Sequence, residues 1–134
     1  MRAYTSLEQS KILAKLLPIG SADLYWSRCA ITDFGDGTLK VSYAVEPCNI
    51  SQFRNTDEDI PCWSLATLLE IIPSEIFSGE YIINITEGLD NKWCITYDNI
   101  DNRNHSFYGL SSSADNLIDA CYEMILKLHG LKML

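Results

Sequence analysis

The sequence predicts an α+β fold, in which one antiparallel sheet of four or five strands packs against about three helices. Two patterns indicate this: apolar residues recur at helical spacing in three segments, and they alternate with polar residues in paired segments separated by turn-forming residues. The predicted order is α-β-β-α-β-β-(β)-α. Of the 134 residues, 47% are hydrophobic and 21% are charged, as in typical folded proteins. We therefore expect one globular domain over residues 1–134 with a single core.

The first helix is predicted over residues 6–17. Its start carries two alternative capping pairs, Thr5 with Glu8 or Ser6 with Gln9, in which a hydroxyl and a carboxylate or amide satisfy free backbone N–H groups. Pro18 ends the segment, because proline cannot continue a helix.

A hairpin is predicted next, from a strand at residues 24–32 and a second at residues 39–45. The segment between them contains Gly35 and Gly37, which supply the positive φ angles that hairpin turns need. The second strand alternates apolar and polar residues strictly, so we expect it to be half-buried.

Residues 46–60 are predicted to form a long loop, followed by the second helix. Pro61 suits a first helical position, with Asp59 or Ile60 as the cap. Helical spacing then predicts one buried stripe, and Pro73 ends the helix. The stripe consists of Leu65, Leu68, Leu69 and Ile72.

A second hairpin is predicted from residues 81–86 and 93–98, and a short further strand at residues 106–109 extends it. The last helix begins with Ser112 or Ser113 as its cap and ends at Gly130. Its predicted buried stripe consists of Leu117, Ile118, Cys121, Ile125 and Leu128.

The charge is unevenly distributed along the chain. Ten basic and eighteen acidic residues give a net charge of −8, and residues 41–115 hold three bases against twelve acids. A nucleic-acid binder must neutralise phosphates with Lys and Arg, so direct binding to nucleic acid or to an anionic membrane is disfavoured. No apolar stretch reaches the roughly 18 residues of a membrane-spanning helix, and no signal peptide is recognisable. We expect a cytoplasmic protein.

The chemical motifs of common enzymes and cofactor sites are not recognisable. The five cysteines are an odd number without a repeated spacing, which favours reduced thiols and provides no close pair for zinc. The Asn- and Asp-rich segment 98–104 favours a turn over a calcium loop. We therefore predict no catalytic residues, no metal site and no cofactor, although acid–base chemistry by a pair of carboxylates stays open.

Four segments resemble short uncharacterised proteins of gut Bacteroides-type bacteria, which are often encoded near prophages or other mobile elements. These segments are LEQSK (7–11), SADLYW (21–26), PCWSL (61–65) and ACYEMILKLH (120–129). The resemblance spans nearly the whole chain. It implies no known activity and no catalytic residues.

Two functional classes follow from these features. The first is a non-enzymatic accessory or inhibitor protein, whose acidic residues Asp57, Glu58 and Asp59 bind a protein partner with a basic surface. The second is a small-ligand-binding protein or enzyme, with a pocket between sheet and helices. Its candidate lining residues are Trp26, Trp93 and Tyr97.

Overall fold

The computed structural model describes residues 2–53 and 59–134, and all structural statements concern these residues. It confirms an α+β chain with three α-helices and antiparallel sheets. The sheet prediction needs correction, because the described strands form three sheets of three, two and four strands instead of one. The elements are α1 (Leu7–Leu13), β1 (Leu24–Trp26), β2 (Arg28–Asp33), β3 (Leu39–Tyr43), β4 (Cys48–Asn49), β5 (Ile60–Cys62), α2 (Leu65–Ile71), β6 (Glu75–Ile76), β7 (Tyr81–Glu87), β8 (Trp93–Asn99), β9 (Ser106–Ala114) and α3 (Leu117–Gly130).

The chain divides into two compact units. The N-terminal unit is Thr5–Ser64, and the C-terminal unit comprises Met1–Tyr4 and Leu65–Leu134. Each unit is described by itself below.

In the N-terminal unit, α1 begins with a capping box at Ser6. The Ser6 hydroxyl accepts the Gln9 N–H at 3.1 Å, and the Gln9 side chain accepts the Ser6 N–H at 3.0 Å. This is the second of the two predicted capping pairs. The helix ends at Leu13, four residues earlier than predicted, through turns in which Leu16 N–H bonds to Leu13 O. Pro18 disfavours helical geometry at Leu17, which explains why the helix does not pass this residue but not why it ends at Leu13.

The predicted first strand is two strands, which belong to different sheets. β1 lies between β4 and β5 in a three-stranded antiparallel sheet, whereas β2 pairs only with β3. Ser27 separates β1 from β2. Pro61, predicted to start a helix, lies instead in β5 opposite Tyr25. Proline has no N–H to donate, and β5 is an edge strand where that loss is tolerated.

Buried hydroxyl groups join α1 to this three-stranded sheet. Thr5 and Ser10 are buried, and their hydroxyl oxygens lie 2.7 Å apart. Thr5 Oγ1 accepts the backbone N–H of Trp63 at 3.2 Å. Each buried hydroxyl therefore has a partner, as burial of a polar group requires.

In the C-terminal unit, α2 begins at Leu65, whose N–H bonds to Ala3 O. Leu68 and Ile72 are buried as predicted. The other two residues of the predicted stripe are not buried, since Leu65 is half-buried and 36% of Leu69 is exposed. With only seven residues, α2 has fewer than two full turns that pack against the rest of the unit. Fewer of its residues are therefore buried than the apolar stripe in the sequence predicts.

The four strands β6, β7, β8 and β9 form the large sheet, in that order. β7 and β8 pair in register from Tyr81 opposite Asn99 to Glu87 opposite Trp93, which confirms the second predicted hairpin. β9 is longer than the predicted strand and irregular. Thr96 pairs with Ser111 and Asp98 with Ser106, so residues 107–110 lie opposite Tyr97 alone. The extra residues form a bulge larger than the usual one of two residues opposite one.

The helix α3 packs on β8 and β9 and contacts α2. Its N-cap is Asn116, whose side chain accepts the Asp119 N–H at 2.9 Å, and not Ser112 or Ser113 as predicted. Those serines lie in β9, where Ser112 donates a hydrogen bond to Ala120 O. The predicted buried stripe of α3 is confirmed, and Ala120 and Met124 extend it.

Candidate functional site

The predicted acidic site is described only in part. Asp57 and Glu58 lie outside the described residues. Asp59 is half-buried next to β5, and its Oδ1 accepts the backbone N–H of Arg28 at 3.5 Å. This carboxylate therefore contacts the start of β2 within the N-terminal unit.

The three aromatic residues predicted to line a pocket lie in the two units. Trp26 is buried in the N-terminal unit, where its indole N–H donates to Ser10 Oγ at 3.1 Å. Trp93 and Tyr97 belong to β8 in the C-terminal unit, where Trp93 is half-buried and Tyr97 is fully buried. Burial raises the pKa of Tyr97 to about 12. Trp26 and Tyr97 thus contribute to packing, each in its own unit.

The first candidate surface is the hairpin formed by β2 and β3. Paired residues of an antiparallel sheet project to the same side, so Ile31 and its partner Val41 share one face with Leu39. We call these three residues the ribbon face. Their exposed fractions lie between 42% and 63%. The strand β3 was predicted to be half-buried, but no layer covers this face in the described part of the chain.

The opposite face of the hairpin is polar. Thr32 and Lys40 are paired there, and Ser42 follows two residues after Lys40. The apolar and polar residues of β3 therefore lie on opposite faces, as the alternating pattern predicts. It produces an amphipathic two-stranded ribbon with one apolar side in solvent.

The tip of this hairpin carries two carboxylates. Asp33 lies opposite Leu39, on the side of the ribbon face, and its Oδ1 accepts the Gly35 N–H at 2.8 Å. Asp36 Oδ1 accepts the Thr38 N–H at 2.9 Å. The hydrogen bonds from Thr38 lower the pKa of Asp36, so this carboxylate stays ionised at neutral pH.

The base of the hairpin is attached to the rest of the N-terminal unit. The Lys11 ammonium lies 6.0 Å from the ring centroid of Tyr43, at the outer limit of a cation–π contact. Beyond β3, the Ala44 N–H bonds to Ser27 O. The hairpin is thus held at one end, while its apolar side and acidic tip face solvent.

The second candidate site is an apolar pocket in the C-terminal unit, which we call the aromatic pocket. Its volume is about 580 Å³. One wall is the bulge of β9, a second is the turn after β6, and the third is the end of α3 with the residues that follow it. The lining residues are Phe77, Phe107, Tyr108, Gly109, Lys127, Gly130, Leu131 and Met133.

Unusual backbone geometry shapes these walls. Gly109 has a φ of +89°, an angle that glycine adopts freely, and it lies within the bulge where the register of β9 is irregular. Phe77 and Ser78 have φ angles of 52° and 56°, a region that residues with a side chain rarely occupy. Lys132, next to Leu131, has a φ of 58°. Positive φ angles therefore occur in each of the three walls or beside it.

Three aromatic rings pack together beside the pocket. The ring centroids of Phe77 and Phe107 lie 5.1 Å apart, and Tyr81 contacts both rings edge-on at 6.2 Å and 5.4 Å. Tilted and edge-on contacts are favourable for aromatic pairs. The cluster holds Phe77 and Phe107 in place even though Phe77 is half-exposed.

Lys127 supplies the charge at the pocket. Its ammonium donates a hydrogen bond to the Ser111 carbonyl oxygen, and it forms no salt bridge with the described residues. A lysine ammonium has three donors, so two donors remain for other acceptors. Lys127 also lines a more polar cavity of about 420 Å³, together with Ser111, further hydroxyl groups of β8 and β9, Cys94 and Glu123.

The remaining side chains show no further constellation for chemistry. Within residues 2–53 and 59–134, no group of three or more His, Cys, Asp or Glu residues is arranged to hold a metal ion. All five cysteines are free, and burial raises the pKa of the Cys62 and Cys121 thiols, in the case of Cys121 to about 12. In the described parts of the chain, no helix is both long and apolar enough to cross a membrane.

Comparison with known proteins adds no functional assignment, because no family model, curated protein or solved structure matches this chain.

The sequence contained partial signals for both candidate surfaces. Glycine within an otherwise strand-like segment indicates a bulge, and Gly109 follows Phe107 and Tyr108 directly. The ribbon face was visible as an alternating pattern. Its exposure was not, because alternation shows that one side is apolar but not what covers that side.

Proposed function

We propose that this chain is a non-enzymatic interaction protein, an accessory or inhibitor, that binds a protein partner through the ribbon face of the β2–β3 hairpin. The observation that carries the proposal is the exposure of Ile31, Leu39 and Val41 side by side on one face. Phe34, 60% exposed at the start of the turn, adds to this apolar surface. Apolar patches bordered by polar residues are typical of protein-binding surfaces.

The charges at the hairpin tip support a partner with basic side chains. Asp33 and Asp36 hold their carboxylates next to the apolar surface by hydrogen bonds to the turn. A partner that offers an apolar patch bordered by Lys or Arg would be complementary to both parts. The acidic residues Asp57, Glu58 and Asp59 add negative charge to the chain, which favours an encounter with a basic partner.

The test compares affinity purification from host extract with the original chain and with the double variant Leu39→Ser, Val41→Ser. The matched control is Leu89→Ser, which makes the same change at a fully exposed leucine in the β7–β8 turn of the other unit. We expect one protein to be recovered with the original chain and the control, and its affinity to fall by about tenfold or more in the double variant.

A second arm tests the charges with the purified partner. The double variant Asp33→Asn, Asp36→Asn should slow association and weaken its salt dependence, because these carboxylates steer the encounter. The triple variant Asp57→Asn, Glu58→Gln, Asp59→Asn tests the acidic segment in the same assay. Partner binding unchanged by the Leu39 and Val41 substitutions contradicts the proposal. The proposal is also contradicted if the chain alone sediments as a dimer and the Leu39 and Val41 substitutions dissociate it, because the ribbon face then binds a second copy of the chain.

A further inference from the structure

We infer that the aromatic pocket of the C-terminal unit is a binding site for a small aromatic monocarboxylate. This inference concerns residues of the other unit and does not depend on the role proposed for the β2–β3 hairpin. The pocket volume of about 580 Å³ lies within the range typical of small-molecule sites, about 300–1,000 Å³. A molecule with one or two fused rings fits this space.

The aromatic part of the ligand is argued from the pocket walls. Phe77, Phe107 and Tyr108 line the pocket, and Leu131 and Met133 add aliphatic and thioether surface. Rings prefer tilted or edge-on contacts with other rings, and thioethers contact aromatic rings favourably. A flat aromatic body therefore makes favourable contacts with several walls at once.

The acidic group is argued from Lys127. Among the described residues that line the aromatic pocket, Lys127 alone is charged, and it is unpaired with any described carboxylate. Because one donor binds the Ser111 carbonyl, the position of the ammonium is defined while two donors stay available. A single cation at the border of an apolar pocket matches a single negative charge on the ligand.

At the end of α3, three of the last four carbonyl groups have partners within the chain. The negative end of a helix dipole is a set of carbonyl groups without partners. Here the carbonyl oxygens of Lys127, Leu128 and His129 accept the N–H groups of Leu131, Met133 and Lys132 respectively. These three carbonyl groups are satisfied within the chain, so they do not require a cation from the ligand.

The experiment uses two probes, naphthylacetate and its neutral analogue naphthylacetamide, in calorimetric titrations of the full chain. We expect naphthylacetate to bind with a dissociation constant of about 1 mM or tighter, and naphthylacetamide to bind about tenfold more weakly. The variant Lys127→Gln should weaken naphthylacetate binding by a similar factor and leave naphthylacetamide unchanged. Lys92→Gln removes the same charge from the exposed β7–β8 turn and should change neither.

A third variant tests the position of the site. Gly130 lines the pocket, and a Cβ atom at this residue would meet no atom within 4 Å, so Gly130→Leu adds a bulky apolar side chain to a lining residue without a clash at Cβ. It should weaken both probes by about tenfold or more, whereas Gly20→Leu, at an equally open glycine of the N-terminal unit, should not.

Three results would overturn the inference. They are no binding of naphthylacetate at millimolar concentration, equal affinity for the acid and the amide, or equal binding by the original chain and the Gly130→Leu variant. Thermal unfolding checks that each variant is folded. Lys127 and Gly130 are exposed, so the midpoints of their variants should stay close to that of the original chain.

Discussion

The Tyr97 hydroxyl donates a hydrogen bond to the backbone carbonyl oxygen of Pro73, and the two oxygens lie 2.5 Å apart. The contact joins the centre of β8 to the residues that follow α2. Because burial raises the pKa of Tyr97 from 10.0 to about 12, the folded chain keeps this phenol protonated at pH values where the unfolded chain has released the proton.

Stability should therefore fall as the pH rises from about 10 to about 12. In this window the folded state binds one more proton at Tyr97 than the unfolded state, so raising the pH favours unfolding. The buried Cys121 thiol, whose pKa is raised from 9.0 to about 12, acts in the same direction from about pH 9 upward. Below pH 9 both groups are neutral in both states, and their contribution to stability is complete.

Tyr97→Phe tests this dependence directly. It should lower the free energy of unfolding at neutral pH by about 0.5–1.5 kcal/mol, the usual net value of a hydrogen bond. It should also make the decline between pH 10 and pH 12 shallower. Urea unfolding over a pH series measures both effects, with Tyr108→Phe at an exposed tyrosine as the control. If the free energy of unfolding of the Tyr97→Phe variant falls between pH 10 and pH 12 as steeply as that of the original chain, groups other than Tyr97 cause the loss of stability.

A comparison of adjacent leucines tests the buried face of α2. Leu68 is fully buried, whereas Leu69 is 36% exposed. We expect Leu68→Ala to lower the free energy of unfolding by about 2–5 kcal/mol and Leu69→Ala by less than about 1 kcal/mol. Denaturant melts decide between this order and the one that the helical pattern predicts. A larger loss for Leu69→Ala would show that α2 is rotated about its axis.

The same measurement applies to α3. Ile125 is fully buried on the stripe that the sequence predicted and the structure confirms. Ile125→Ala should cost about 2–5 kcal/mol. The neighbouring surface substitution Glu123→Ala is the control, and it should change stability by less than about 1 kcal/mol. Similar values for the two variants would contradict the placement of α3.

The cysteines should differ in reactivity according to burial. Cys29 is exposed, while Cys62 and Cys121 are buried and have raised pKa values. Since the thiolate is the reactive form, iodoacetamide at pH 8 should label Cys29 first and leave Cys62 and Cys121 unlabelled in the folded chain. Peptide mass spectrometry identifies the sites, and labelling in denaturant should reach all five cysteines. Rapid labelling of Cys121 without denaturant would show that its surroundings open readily.

The Asp98 carboxylate organises three polar groups of the large sheet. It accepts hydrogen bonds from Asn84, Thr96 and Ser106 at 3.0, 2.9 and 2.8 Å, and it is 6% exposed. Asp98→Ala should destabilise the chain by about 1.5–3 kcal/mol, because three donors lose their charged acceptor. Asp98→Asn, which keeps an acceptor oxygen, should cost less, and Asp101→Ala in the exposed turn is the control. Equal stability of the Asp98→Ala and Asp101→Ala variants would contradict this role.

Local patterns in the sequence predicted those elements that depend on local chemistry. The Ser6 and Gln9 capping pair, the two glycines of the β2–β3 turn and the apolar stripe of α3 all act within a few residues of one another. Their physical causes are contained in the segment itself, so the segment is sufficient to predict them.

Features that depend on partners distant in sequence could not be predicted in this way. Pro61 favours the start of a helix locally, yet it lies in β5, which pairs with the distant strand β1 on one side only and therefore tolerates the missing N–H. The capping of α3 by Asn116 and the division of the strand at Ser27 have the same origin, since competing strand pairings decide where each element begins. The aromatic pocket depends on the register between β8 and β9, which no single segment specifies.

The irregular part of β9 has a consequence for how the chain tolerates changes in length. Residues 107–110 face Tyr97 alone, while the pairing on either side, at Ser106 and from Ser111 to Ala114, is regular. An insertion or deletion of one residue there alters the loop of the bulge and leaves both flanking registers in place. Elsewhere in β8 or β9, the same change would turn every following side chain to the opposite face. A change of length at this point can therefore alter the dimensions of the pocket while the sheet behind it is retained.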